Sequence, residues 1–570
     1  MIETIKLNWS EAKIVNTRVG ARTLRTASPT PAFWGAWKSA KDTLKSEGVS
    51  CGKNRDDVWE ICWWSAVDVS PSTVAAAMGQ PEASGDKPTL PQTSSRVWSE
   101  EQELIFTYFA TGTGHRVVKA RAGTGKTTTI EEAFKRATEA RKLYAVFNKK
   151  NQIEAERKIT DPSVEIKTLH SLGFSYILAV WAGVKPDNSV EADRILTVCP
   201  NIPEEVAGLV ERIVGFAKNT LLNPTVAQLI DLADAKGIFS SMESEGWTVA
   251  RLAEISMQAL ELAKERDELG RISFNDMVWL PVVKNWVFPR FDLVVVDEAQ
   301  DMNLPQLEMA IRACEKTGRI CIVGDDRQAI YGFRGAAEDG MRMMQDRLGA
   351  SVLGLTTTYR CPKAVVAIAS EIVEDYHAAP TAPEGTVDEI EGNLLLENAK
   401  IGDAILSRLN APLMSTCLNL LRNGTPARIE GRDIGAQLVG MVQKLRAKSV
   451  PDFFRKLENW GNKQRARLSV GKNAEAKVAL INDQVETLQA VAEGARNVAE
   501  IEAKIYSLFQ DSDSNSKPAV VLSSVHKAKG LEWNRVFVLS QTFKKDRGIE
   551  EANIYYVAVT RAKKHLTFVG

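Results

Sequence analysis

Two stretches of this chain hold residue types that together could move a phosphoryl group. Ala120-Arg-Ala-Gly-Thr-Gly-Lys-Thr127 sets two glycines, a lysine and a hydroxyl in one short loop, and Leu293-Val-Val-Val-Asp-Glu-Ala-Gln-Asp301 ends an apolar run on acids. Gly123 and Gly125 let backbone N–H groups close around phosphate oxygens, while the helix that follows the loop adds its positive end. Ala120, Arg121, Ala122, Thr124 and Thr128 complete the cradle. Lys126 would reach the β- and γ-phosphates, and Thr127 would hold Mg²⁺. Asp297 fits a second Mg²⁺ contact, direct or through water, and Glu298 stands where it would orient and deprotonate the attacking water. The rival reading, two solvated acids in a turn, loses weight because the phosphate loop lies upstream in the same chain. ATP hydrolysis is the expected chemistry.

Such groups need strand ends to hold them. A short β-branched run reads as a strand buried on both faces, and α/β sheets gather ligands just beyond the carboxyl ends of such strands. From Trp98 onward, strand-like runs alternate with helical stretches, which is an α/β pattern. A first block offers strands at 117–120, 143–147, 164–169, 293–296 and 320–323, interrupted by a helical insert over 175–288. A second block offers 352–355, 404–406, 427–430, 519–523, 536–539 and 565–569, with a helical insert over 435–518. Both inserts exceed ordinary loop lengths, so each is expected to grow out of its core as a subdomain. The expected division is a first core over 96–304 and a second over 305–570.

Residues 1–69 differ in kind, holding six of the thirteen tryptophans (Trp9, Trp34, Trp37, Trp59, Trp63, Trp64). They suggest a small accessory region, with an amphipathic helix over 31–47 and an aromatic strand over 58–64 after turn-rich residues 51–57. Its tryptophans read first as a small core and second as a surface for DNA or a protein partner. Residues 70–95 gather Pro, Ser, Gly and Ala, as a linker does.

Length and composition bound the rest. A chain of 570 residues exceeds one compact core. Seventy-two basic residues balance seventy-two acidic ones, so a nucleic-acid surface must be a local groove. Cys51, Cys62, Cys199, Cys314, Cys321, Cys361 and Cys417 form no CxxC pair, which reads as reduced thiols in a cytoplasmic protein and argues against a zinc site. The N-terminus shows no apolar signal core, and no apolar stretch has membrane-spanning length.

With the two motifs in place, the chain from Trp98 onward resembles superfamily 1 helicases of the UvrD, Rep and PcrA type, motif by motif and in order. Phe147-Asn-Lys149, Ile272-Ser-Phe-Asn-Asp-Met277 and Gly431-Arg-Asp-Ile-Gly435 are most similar to the F-box DNA helicase branch, although no F-box is evident. The resemblance implies two RecA-like parallel-sheet motor cores, each with a helical insertion. It implies that Gln102 reads adenine, Tyr359 stacks on it, and Gly530 and Glu532 of His526-Lys-Ala-Lys-Gly-Leu-Glu532 approach the nucleotide. In Gly324-Asp-Asp-Arg-Gln-Ala-Ile-Tyr-Gly-Phe-Arg-Gly-Ala336, Gln328 would sense the γ-phosphate. Arg360 and Arg561 look like two arginine fingers, both in the second block, so ATP is expected between the cores. Gln300 would link the γ-phosphate to the segment from Gln328 to Arg334.

The resemblance also implies a single-strand track of phosphate contacts and base stacking over Phe147, Asn148, Thr168, His170, Tyr331, Phe333, Arg334 and His526. Many bacterial relatives carry tryptophan where Phe333 stands. From Val442 to Lys477 ten basic residues face three acidic ones; a solvated helical face and a platform for duplex DNA are both open. The implied activity is a monomeric, 3′-to-5′ translocase on single-stranded DNA that unwinds duplexes, with ATP and Mg²⁺, in a cytoplasm of bacterial or phage context. Rival readings are a DNA-stimulated ATPase that remodels protein–DNA complexes without unwinding, a non-catalytic binding subunit, and an RNA track.

Overall fold

The computed structural model describes residues 97–238, 246–330, 340–468, 474–510 and 518–570, with the backbone of four strands before them. The chain forms two compact units, Met1–Val97 and Trp98–Gly570. In the first, an antiparallel sheet runs in the order Lys13–Asn16, Ala21–Thr26, Trp59–Trp64, Ser50–Lys53. The aromatic strand expected over 58–64 is present. The turn expected from residue 51 is corrected, because Cys51, Gly52 and Lys53 pair with Ile61, Glu60 and Trp59. Cross-strand pairing here outweighs local turn preference. The helix expected over 31–47 and the linker over 70–95 lie outside the described residues.

In the second unit, a six-stranded sheet runs Ser351–Leu355, Arg116–Ala120, Cys314–Gly324, Phe291–Val296, Lys142–Val146, Val164–Thr168, every neighbouring pair parallel. Its apolar runs follow from burial on both faces. Val294 and Val296 enter one core cluster with Ile320, Ile322 and Leu307, whereas Leu293 and Val295 enter another with Ile105, Phe109 and Ile130. The period of two along the strand splits one apolar stretch between two cores. Ser351–Leu355, expected in the second block, pairs with Arg116–Ala120 at the edge of this sheet. The boundary expected at 304/305 is therefore corrected, and the first core runs past residue 355.

The second sheet has seven parallel strands in the order Thr386–Ile390, Ala562–Val569, Trp533–Leu539, Ala404–Ser407, Val520–Ser524, Ala427–Glu430, Phe509–Gln510. Two parallel-strand sheets with helices around them make the fold α/β with two RecA-like cores.

The two insertions differ physically. The first has its own apolar core, including Ile195, Val210, Ile213, Leu252, Leu260 and Trp279. A buried charge cluster braces it, with Lys218 and Arg194 reaching Asp276 at 2.6 and 2.7 Å and Lys218 also reaching Glu191. The helix Leu169–Val180 ties it to the first core, lending Leu172 and Tyr176 to the sheet cluster and Ile177 to the insertion. The second insertion does not grow out as a separate subdomain. Phe453, Leu457, Val485, Leu488 and Ile501 share one cluster with Ile405, Leu522 and Phe537 of the sheet, so its helices serve as a layer of the second core. Among the described residues, the apolar faces of those helices bury against this sheet.

Candidate active site

Lys126, Thr127, Asp297, Glu298 and Gln328 come together at the carboxyl ends of the first sheet. Arg116–Ala120 delivers the phosphate loop, Phe291–Val296 delivers Asp297, and Cys314–Gly324 delivers Asp325. Gly123 and Gly125 adopt left-handed φ values of 72° and 78°, conformations that side chains disfavour. Gly125 caps the helix Lys126–Arg136 without a side-chain hydrogen bond, leaving first-turn N–H groups to an anion. A phosphate therefore fits the loop.

Lys126 Nζ lies 3.2 Å from Asp297 Oδ1 and also pairs with Glu298. Tyr144 donates to Asp297 Oδ2 at 2.8 Å. Burial opposes charge on Glu298, yet Lys126 and Lys529 outweigh it and hold its carboxyl down at about 2. Burial also opposes charge on Lys126, and Asp297 and Glu298 outweigh it, raising the ammonium above its ordinary value. Gln300 Nε2 donates to Glu298 at 2.5 Å, and its Oε1 accepts from the Asp325 N–H at 3.1 Å. Asp325 in turn accepts from Gln328 Nε2 at 2.8 Å. Gln300 thus connects Glu298 to the Gln328 segment.

The second core closes the opposite wall. Arg360, Gly530, Leu531, Glu532 and Arg561 line a cleft of about 640 Å³ together with Lys126, Thr127, Thr128, Asp297, Glu298 and Gln328. Arg360 Nε stands 2.6 Å from Glu532, so a nucleotide contact and a finger expected from the resemblance pair with each other. Arg561 is 1 % exposed. Its guanidinium donates to Val557 O, Leu531 O and Thr560 Oγ1 at 2.9, 3.2 and 3.1 Å. Burial first, and then Arg360 nearby, pull its pKa down to about 10. A desolvated cation held by neutral oxygens is a ready stabiliser of developing negative charge.

The fit between cores makes one position decisive. A Cβ on Gly123 would stand 2.5 Å from Arg360 Cβ and 2.6 Å from Thr358 Oγ1. Gly123→Ala is expected to force the cores apart and to strain the loop. Nucleotide affinity by titration calorimetry should fall about 5- to 150-fold, from a cost of about 1–3 kcal/mol. Unchanged affinity would refute this packing.

Not every expected residue reaches the cleft. Phe147 and Asn148 line it, but Asn148 also caps a helix, accepting from the Asn151 N–H at 2.8 Å. Gln102 is buried, with Oε1 accepting from the Ser99 N–H at 3.0 Å and Nε2 donating to Thr129 at 2.9 Å. Its amide is engaged in a capping box and the phosphate-loop helix. Tyr359 is half exposed, and its backbone N–H donates to Gly123 O of the loop at 2.9 Å. Thr168 caps the next helix through the Ser171 N–H at 3.1 Å. Burial lowers the pKa of the neighbouring His170. His526 follows the strand Val520–Ser524 and is half-buried. Tyr331, Phe333 and Arg334 lie outside the described residues. Sequence reasoning missed Tyr144 and Lys529. Lys529 joins the cores by pairing with Asp301 at 2.6 Å and donating to Gln328 O at 2.6 Å. It sat inside a quoted motif, where only its neighbours were given tasks.

Comparison with known proteins matches residues 98–348 to the UvrD/REP helicase N-terminal domain and residues 431–569 to the UvrD-like helicase C-terminal domain. F-box DNA helicase protein 1 of Schizosaccharomyces pombe is 25% identical over 509 residues, covering 79% of this chain and 55% of that protein. A probable DNA helicase II homolog of Mycoplasma pneumoniae is 22% identical over 595 aligned positions, covering 80% of this chain and 82% of that protein. DNA helicase II of Escherichia coli is 33% identical over 118 residues, 19% of this chain and 16% of that protein. This chain thus spans little more than half the length of the S. pombe relative. Both halves of one architecture are matched in order, on the two cores that enclose the phosphate loop, and the chain belongs to the UvrD/Rep/PcrA-type helicase family.

Proposed function

We propose that this chain is an ATP-dependent DNA helicase that moves 3′ to 5′ on single-stranded DNA and unwinds duplexes ahead of it. The observation that carries the reading is the split cleft. Lys126, Asp297, Glu298 and Gln328 come from one core and Arg360 and Arg561 from the other. Hydrolysis then depends on closure, and closure is the motion that steps along a strand.

Mg²⁺ would be held by Thr127 and Asp297 and would neutralise charge on the β- and γ-phosphates. Lys126 exchanges its acids for phosphate oxygens, which frees Glu298 to take a proton from water. Arg561, already desolvated, and Arg360, released from Glu532, stabilise the transferring group. Gln328 reports its state to the strand-contacting segment. The DNA track is supported by the relatives' names as DNA helicases, and the polarity rests on the resemblance of the motifs alone. The setting would be cytoplasmic DNA repair, replication or recombination.

One experiment tests activity and direction together, comparing ATP-driven separation of duplexes with 3′ or 5′ single-stranded tails. Unwinding from 3′ tails is expected, and preference for 5′ tails would overturn the polarity. The second insertion favours one alternative. Its helices are fused into the core cluster, so a translocase that strips proteins without separating strands is the reading to adopt if DNA stimulates ATP hydrolysis but no duplex opens.

A further inference from the structure

Arg121 belongs to the phosphate cradle by its backbone, while its guanidinium, taken up by carboxylates, has no task in phosphate binding or in the hydrolytic scheme. Arg121 is only 6% exposed, yet every guanidinium nitrogen meets a carboxylate. Nε and Nη2 form a two-pronged pair with Asp375, both at 2.8 Å. Nη1 reaches Asp325 at 2.9 Å and Asp326 at 2.5 Å. Lys119, 3.6 Å from Asp326, and Arg327 add further positive charge beside Asp326.

The partners divide between the cores. Asp325 and Asp326 follow the first-sheet strand Cys314–Gly324, and Asp325 holds Gln328. Asp375 lies between Val373 and Tyr376, both buried in the second core's cluster with Val536 and Ile554. The same core grips the next loop residue. Ala122 N–H donates to the Tyr556 hydroxyl at 3.0 Å, and Tyr376 donates to Ala122 O at 3.0 Å. A planar fork matched to a carboxylate fixes direction as well as distance.

We infer that Arg121 is a positioning residue, a strut by which Asp375 of the second core sets the phosphate loop against Asp325 and the Gln328 sensor. Closure of the cores and alignment of the loop then become one event. The inference rests on the proposed ATPase reading for its kinetic consequence, but not for its structural one.

Asp375 is the position to test, since its side chain is 48% exposed and its loss leaves Arg121 held by two acids. In the full-length chain, Asp375→Asn is expected to lower DNA-stimulated kcat about tenfold with the KM for ATP within about twofold. Asp375→Glu should restore most of the rate. The wild-type rate should fall more steeply with salt than the Asn variant's, because the pair is partly exposed. Hydrogen exchange supplies a readout independent of catalysis: the amides of residues 120–125 should exchange at least about tenfold faster in the Asn variant without nucleotide. Unchanged exchange together with unchanged kcat would overturn the strut. A parallel loss of melting temperature, KM and kcat would also overturn it, by making the pair merely structural. A wild type that hydrolyses no ATP would defeat the proposed function, while loop exchange would still decide the strut.

Discussion

Glu298→Gln is expected to lower DNA-stimulated ATP hydrolysis by about 10²–10⁴-fold, the usual contribution of a positioned general base. Glu298 occupies the left-handed region, with φ 52° and ψ 40°, which costs a non-glycine residue about 1–3 kcal/mol unless its surroundings enforce it. They do so here. Its N–H donates to Asp297 Oδ1 at 2.9 Å, its Oε2 accepts from Gln300, and its other oxygen meets Lys126. Glutamine keeps the shape and one of the two side-chain hydrogen bonds while removing the charge, since its amide nitrogen cannot accept from Gln300 or Lys126. As it stands, the carboxylate is held at about 2 by Lys126 and Lys529 against burial, too low for a good base at neutral pH. Transfer of Lys126 to phosphate oxygens would remove the larger of those two attractions, and the carboxyl would rise toward a useful range. The substitution therefore separates binding from turnover. Removing the negative charge frees Lys126, so ATP affinity should be unchanged or tighter while turnover collapses. Stopped-flow binding of a fluorescent ATP analogue and a coupled ATPase assay would check both halves. A turnover within about threefold of wild type would remove Glu298 from the base role.

How far such an argument can be made from sequence depends on how local the cause is. The strand Phe291–Val296 is readable because burial on both faces demands an uninterrupted apolar run, and the loop from Ala120 to Thr127 because phosphate contact demands glycine at fixed positions. Other features are set by contacts far apart in the chain. Tyr144 finds Asp297 across 153 residues and Lys529 finds Asp301 across 228, and no local pattern announces either. Ser351–Leu355 has a strand's composition, but composition does not say which sheet it joins. Thr386–Ile390 carries Asp388 and Glu389 and is largely exposed at a sheet edge, so it lacks the apolar signature and was missed. The second insertion has amphipathic helices whichever way they pack; only tertiary contact shows that they cover their own sheet. At the site, Lys126, Asp297 and Glu298 were singled out from their motifs, whereas their mutual pairing was not legible, since tertiary packing of distant strands brings residues 126 and 298 together.

The two arginines expected to act as fingers should separate by stability. Arg360 is partly exposed, and its ion pair with Glu532 is of the kind worth about 0–1 kcal/mol. Arg360→Ala is therefore expected to leave the melting temperature within a few degrees of wild type while lowering DNA-stimulated kcat about 10³-fold, the lower end of what such a residue supplies. Arg561→Ala should act differently. It empties a fully buried site and strips hydrogen bonds from Val557 O, Leu531 O and Thr560 Oγ1, and each buried acceptor left bare costs about 1–3 kcal/mol. The same change also removes a buried cation whose desolvation it no longer has to bear, which offsets part of that cost. A net loss of stability is expected, together with loss of turnover, so Arg561→Ala alone would not distinguish a finger from a core residue. Arg561→Lys makes the distinction. It keeps the charge in the pocket but not the three-way fork, and a finger acting through charge should retain more turnover in Lys than in Ala at equal thermal stability. Differential scanning fluorimetry beside steady-state kinetics would show it. If Arg360→Ala hydrolyses ATP at the wild-type rate, closure of the second core onto the phosphate loop is not what makes the site catalytic, and the cleft would have to work from its first wall alone.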